Sequence, residues 1–379
     1  MFKTISRAPN DDFTFSIFSD LLSTLTCDFE AYYTWSDTPK QLKSFIDNVK
    51  FTKPNIIIGI KDLLDLWQDY NFWQDSAQAG IQLLDRMAVR NPDKNFVIFT
   101  SLENIDLELK TADNLQFVPW GGDLVNQDKE YQEIVPVFDK NFNSIKTFIS
   151  LNRNRRAHRL VLLSYLFGKE YNQTGQITYL GQQIDVQKFD NLLDCLPWQF
   201  EDRHADDREI MLKGYSKFYN NTVLLVDDYE IYDQGPNDNL NNFERRLRPK
   251  YQNSFVEIVS ESSFAAPSFM LTEKTLNSVY GCNLPIILSG TGAVAHLREL
   301  GFDMFDDIID HSYDYIPNPF DRIIHAVKDN HRLLADCDYA KQTWICCQER
   351  FHDNIVVAKN IYQWYQNRTI TKFNQINWS

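Results

Sequence analysis

The sequence has no Cys-x-x-Cys pair, and none of its six cysteines stands at zinc spacing from a histidine. Cys27, Cys195, Cys282, Cys337, Cys346 and Cys347 are scattered apart from one adjacent pair, a poor geometry for an ordinary bridge. This excludes a disulfide-built scaffold and a thiolate zinc module, and predicts reduced thiols in a cytoplasmic protein. Glycine and proline number 13 each in 379 residues, too few for a collagen-like or linker-rich chain. No run approaches the ~20 apolar residues that cross a bilayer, and the opening MFKTISRAPNDDF has no signal-peptide core. Basic residues are in deficit: 38 Lys and Arg against 52 Asp and Glu give a net charge of −14. A uniformly basic nucleic-acid coat is thereby excluded, while a local basic site stays open. Metal-binding carboxylates are sparse too. Asp336-Cys337-Asp338 is the one Asp-x-Asp triplet, and in a helical stretch positions i and i+2 do not share a face.

Aromatic residues, by contrast, are plentiful: 27 Phe, 18 Tyr and 8 Trp make 14% of the chain. That many rings require a large core and exclude disorder as the main state. The length suits two domains. Continuous apolar runs at 55–60, 95–100 and 115–119, without polar alternation, predict strands buried on both faces. A helix over 75–89 between the first two makes a parallel crossover unit. The polar, turn-rich segment 121–143 ends this part, and we place the boundary between residues 1–145 and 146–379. Strands are predicted at 146–151, 223–226, 255–259 and 284–288, and helices at 157–167, 272–280 and 293–300. Thr272 is a candidate N-cap and Gly301 a helix stop. A helical, charged stretch follows from 321 to 366. The fold class is therefore α/β in two domains with a helical C-terminus.

Charge is not evenly spread. Between Lys140 and Lys169 lie seven basic residues and no acidic one, where scattering would place about four carboxylates. Arg153, Arg155, Arg156 and Arg159 fall together between a strand and a helix, where open α/β sheets take ligands. Planar guanidinium forks and a helix N-terminus suit a diphosphate. His158 stands beside Arg159 and could donate to the same phosphate. A second feature pairs Glu261, at a strand end, with Thr272-Glu273-Lys274 at a helix start. A carboxylate there can accept from ribose hydroxyls. A lysine on a first helical turn opposes the dipole, a conflict that a bound anion would resolve. Gly290-Thr291-Gly292, between strand and helix, would let backbone amides approach such a ligand.

The segment FVEIVSESSFAAPSFMLTEKTLNSVYGCNLPIILSG, Phe255 to Gly290, resembles the donor-binding motif of the α-1,3-fucosyltransferases. That motif has a strand ending in Glu-Asn, a short loop, Thr-Glu-Lys, a helix, and a Pro-initiated strand ending near glycine. Ser150-Leu151-Asn152-Arg153-Asn154 to Arg159 resembles the family's stretch leading to a phosphate-binding arginine, which matches Arg159 best. Phe99 to Asn104 is similar to the segment carrying its catalytic glutamate, which would make Glu103 the base. The well-matched pieces cover less than a fifth of the chain, and Ser262 stands where the family has Asn.

The resemblance implies a GT-B architecture, with two Rossmann-like domains facing a cleft and the donor held by the second. It implies inverting, metal-independent transfer of a sugar, fucose from GDP-fucose in the family, from a nucleotide-sugar to a carbohydrate acceptor. No further cofactor is expected. Glu261, Ser262, Thr272, Glu273 and Lys274 would join Arg159 around the donor, with Asn152, Arg153, Arg156, His158, Gly290 and Gly292 as further contacts. Asp123 is the second candidate base. Two other functions are open. One is a DNA-modifying glycosyltransferase acting on a modified base and using the basic cluster Arg245 to Lys250. The other is a non-catalytic nucleotide-binding protein of the same fold.

Overall fold

The computed structural model describes residues 2–4, 27–34, 39–60, 76–100, 111–119, 131–142, 146–152, 156–179, 186–195, 205–219, 243, 247–261, 264, 269, 271–376 and 378. It divides into two compact units. The first holds Met1–Tyr131, Ala265–Glu273 and Lys359–Ser379; the second holds Gln132–Phe264 and Lys274–Ala358. The division therefore comes at Tyr131/Gln132, ahead of 145/146, and the C-terminus belongs with the first unit.

In the first unit, β1 (Phe2–Thr4), β2 (Phe29–Thr34), β3 (Asn55–Ile60), β4 (Asn95–Thr100) and β5 (Leu115–Pro119) form one parallel sheet in sequential order. Helices α1 (Pro39–Asn48) and α2 (Ser76–Arg90) lie between its strands in sequence. Successive residues of a strand face opposite ways, so one apolar run serves two cores. Ile56, Ile58, Ile60, Phe96 and Ile98 pack with Leu42, Leu84 and Met87 of the two helices. Ile57, Val97, Phe99 and Val118 pack instead with Phe373 and Ile376 near the C-terminus. The end of the last helix thus covers the second face, and Thr369 donates its hydroxyl to the Pro119 carbonyl at 2.9 Å.

In the second unit, β6 (Lys146–Asn152) leads into α3 (Ala157–Gly168), followed by β7 (Gly175–Tyr179), α4 (Val186–Cys195) and α5 (Ala205–Tyr219). Next come α6 (Arg248–Gln252), β8 (Ser254–Ser260), α7 (Glu273–Tyr280), β9 (Leu284–Leu288) and α8 (Ala293–Glu299). The C-terminal helices are α9 (Pro319–Asp329), α10 (His331–Ala335), α11 (Cys337–Cys346) and α12 (Gln348–Asn374), the last spanning both units. The strands are parallel in the order β7-β6-β8-β9. From β6 the chain moves to one side for β7 and to the other for β8, so the winding reverses between β6 and β8. Strand β7 was not anticipated: its short Gly175–Tyr179 run carries polar Gln176 and Thr178. The strand expected at 223–226 lies outside the described residues. No helix among the described residues is long and apolar enough to cross a membrane.

Candidate functional site at the sheet switch point

The strand order reverses between β6 and β8, and in open parallel sheets the carboxyl ends of the strands at such a reversal are the place that binds ligands. Three sequence-distant segments meet there. Strand β6 ends at Asn152, which is buried and donates its amide to Ser150 Oγ at 3.0 Å. Arg156 precedes α3 in extended conformation (φ −138°, ψ 146°) without a side-chain cap. One helical residue later, His158 brings a ring nitrogen to 3.1 Å from the Glu261 carbonyl, and Arg159 Nη2 donates to the Ser260 carbonyl at 3.0 Å. Both side chains are buried.

A carbonyl only accepts, so the His158 nitrogen facing Glu261 carries the hydrogen and the other ring nitrogen carries the lone pair. Burial holds its pKa well below the usual histidine value, and the charges of Arg159, Arg156 and Arg322 press in the same direction. The imidazole also stacks on Phe264, with centroids 4.7 Å apart. The N–H facing Glu261 is engaged with its carbonyl.

Glu261 closes β8, its amide donating to the Leu288 carbonyl at 2.9 Å. Its carboxylate is wholly buried and divided between two neighbours in the first turn of α7. Thr275 Oγ1 donates to one oxygen at 2.7 Å, and Lys274 Nζ stands 3.9 Å from the other. The lysine that opposed the helix dipole therefore already faces an anion supplied by the chain. Thr272 is buried immediately before α7, and Glu273 is its first residue.

The glycine turn departs from expectation. Gly292 takes a left-handed conformation (φ 79°), and its amide donates to the Asp314 carbonyl at 3.0 Å. Val294 and Ala295 donate their amides to the two Asp314 carboxylate oxygens, each at 3.2 Å. The amides at the start of α8 are thus met by an internal carboxylate, so the Gly290 and Gly292 turn is built as a fold element. Burial raises the Asp314 pKa.

The basic window from Lys140 to Lys169 is not one patch. Arg156 and Arg159 go to the carboxyl end of the sheet, but Lys140 goes to the other. It is buried, donating to the Tyr251 carbonyl (2.8 Å), the Gly281 carbonyl (2.9 Å) and Asn283 Oδ1 (2.6 Å). Lys146 donates to the Gln173 carbonyl at 3.1 Å. In the described part of the cluster at 245–250, Arg248 Nη1 pairs with exposed Asp139 at 3.3 Å and Lys250 is buried. Asp336 caps α11 by accepting from the Tyr339 amide at 2.9 Å. Among the described residues, no group of three or more His, Cys, Asp or Glu is placed to hold a metal ion. Glu103, Asp123, Arg153 and Ser262 lie outside the described residues.

Sequence reasoning missed Phe264, Thr275, Asp314 and Arg322. In Pro319–Asp329 (PFDRIIHAVKD) the arginine reads as an ordinary helical charge, and no local signal marks it as buried.

No protein-family model matches the chain, and no curated protein matches it. Two solved structures align with most of it. A structure titled trehalose-6-phosphate synthase OtsA shares 15% identity with a TM-score of 0.43, over 95% of this chain and 75% of that one. An α,α-trehalose-phosphate synthase (UDP-forming) from Burkholderia xenovorans, in complex with glucose-6-phosphate, shares 9% identity with a TM-score of 0.31, over 87% and 76%.

Proposed function

We propose that the chain is a glycosyltransferase of GT-B type that binds a nucleotide-sugar at the switch point of its second sheet. The observation that carries this reading is the convergence of Arg159, His158, Glu261 and Lys274 on one strand end. These residues come from the two segments, 147–168 and 255–301, that resemble the fucosyltransferase donor motif. Two parallel α/β units, with a last helix that begins in the second and ends in the first, agree with the architecture. GDP-fucose is the donor favoured by the resemblance, with a carbohydrate hydroxyl as acceptor.

In the proposed reaction the acceptor oxygen attacks the anomeric carbon and the carbon–oxygen bond to the diphosphate breaks. Glu103 takes the acceptor proton. Arg159 and Lys274 neutralise the departing diphosphate, so fixed cations do the work of a metal. Arg156 and Asn152 line the same strand end, and Glu261, Thr272 and Glu273 stand toward the nucleoside. Direct displacement inverts the anomeric centre.

The test is a thermal-shift panel of nucleotides, followed by transfer assays in EDTA with whichever nucleotide-sugar is selected. Stabilisation by one nucleoside diphosphate and not by its nucleoside is expected. No shift with any nucleotide would overturn the reading.

A further inference from the structure

Arg322 lies in α9, is 2% exposed, and spends its guanidinium on backbone carbonyls alone. Nε donates to Ile316 at 3.0 Å, Nη1 to Phe264 at 2.8 Å and to Ser289, and Nη2 to Pro317 at 3.3 Å. Its guanidinium carbon lies over the Phe264 ring, 5.1 Å from the centroid, and that ring also stacks on His158. One side chain thus ties the residues just after β8 to those just after β9. Asp314 grips the same turn from its other end through the amides of Gly292, Val294 and Ala295.

We propose that Arg322, together with Asp314, is the positioning residue of the switch-point site, fixing the rim that Phe264, beyond β8, and the turn after β9 form around a bound nucleoside diphosphate. The proposal rests on the functional reading above. Burying a guanidinium without a hydrogen-bonded carboxylate is costly, and an apolar side chain of similar volume would stabilise the core at lower cost. What the arginine supplies and an apolar residue does not is a planar fork that reaches four carbonyls in three chain segments at once. Lysine offers three donors from a single point and cannot reproduce that spread. The stack of Arg322, Phe264 and His158 links this frame to the residues facing Ser260 and Glu261.

The test compares the parent with Arg322→Met and Arg322→Lys. Binding of GDP and UDP is measured by calorimetry, and amide hydrogen exchange is followed in residues 289–295, with β6 as the internal control. In both variants β6 keeps its protection while 289–295 exchange faster. Diphosphate binding weakens by roughly tenfold, because part of the binding free energy is then spent on ordering the rim. Arg322→Met with parental exchange in 289–295 and parental affinity would overturn the proposal. Should neither Arg322 variant fold, Asp314→Asn loosens the other end of the same turn. Faster exchange at Val294 and Ala295 with weaker diphosphate binding supports the assignment, and parental values for both sink it. If the parent binds neither GDP nor UDP, the functional reading fails, and exchange in 289–295 still decides whether Arg322 sets this rim.

Discussion

Thr275 and Lys274, successive residues in the first turn of α7, divide one buried carboxylate between them: Thr275 Oγ1 lies 2.7 Å from one oxygen of Glu261 and Lys274 Nζ 3.9 Å from the other. A short neutral hydrogen bond orients the acid, and the longer ionic contact sets a cation beside it. Glu261 is fully buried while the Lys274 side chain keeps 23% of its surface, so the ammonium forms the accessible half of the pair.

Lys274→Ala and Arg159→Ala are each expected to weaken nucleoside diphosphate binding ten- to a hundredfold, from the loss of a charge-assisted contact worth about 1.5–3 kcal/mol. The corresponding nucleoside should be affected far less. Calorimetry with both ligands checks this, and equal losses for the two would place these cations away from the phosphates.

Glu103→Gln should abolish transfer and leave donor affinity near parental, because the amide keeps the size of the side chain but cannot take the acceptor proton. Turnover and donor binding are measured side by side. Near-parental turnover would move the base elsewhere, with Asp123→Asn the next variant to assay. A product with retained anomeric configuration would count against both.

Lys140→Met should destabilise the second unit by several kcal/mol. Its three acceptors, the carbonyls of Tyr251 and Gly281 and Asn283 Oδ1, would lose their donor at about 1–3 kcal/mol for each buried group left unmet. Urea unfolding of parent and variant at pH 6 measures the difference. A loss under ~1 kcal/mol would show that water replaces the ammonium.

Glu257, in the middle of β8, has its pKa pushed up to about 8 by burial. A carboxyl raised above its unfolded value is protonated in the fold over a range where the unfolded chain has lost the proton. Its contribution to stability is complete below the unfolded pKa and is lost as pH rises toward 8. Glu257→Gln removes this titration. Between pH 5 and 8 the stability of the parent should therefore fall relative to the variant. Parallel curves from denaturant titrations would show that Glu257 does not titrate in that window.

Gly214→Ala should destabilise α5 against α3. A Cβ at Gly214 would lie 1.8 Å from the Ser164 carbonyl oxygen and 2.4 Å from the Gly168 amide nitrogen. Overpacking of this kind costs about 1–3 kcal/mol, more where backbone must move. A lowered unfolding temperature is expected, and an unchanged one would mean that the two helices can separate freely.

What the sequence determined by itself is local. Runs such as Asn55–Ile60 and Leu284–Leu288 are short, apolar and without alternation, the pattern of strands covered on both faces. The arginines of 153–159 and the Thr-Glu-Lys triplet were visible because charge stood out in segments otherwise apolar or neutral. Tertiary structure decided which ends of the sheet those charges reach. It sent Lys140 to the amino end of the strands and Arg159 to the carboxyl end, though both belong to one basic window. It turned the amides after Gly292 toward Asp314, and it buried Arg322, whose helix reads as ordinary and amphipathic. The reason is physical: a carbonyl accepts from any donor that folding brings near, so a side chain bonded only to backbone leaves no mark in the sequence of its partners. Strand order is of the same kind. The reversal depends on β7 pairing beside β6, a choice made by hydrogen bonds between segments that carry no local sign of one another.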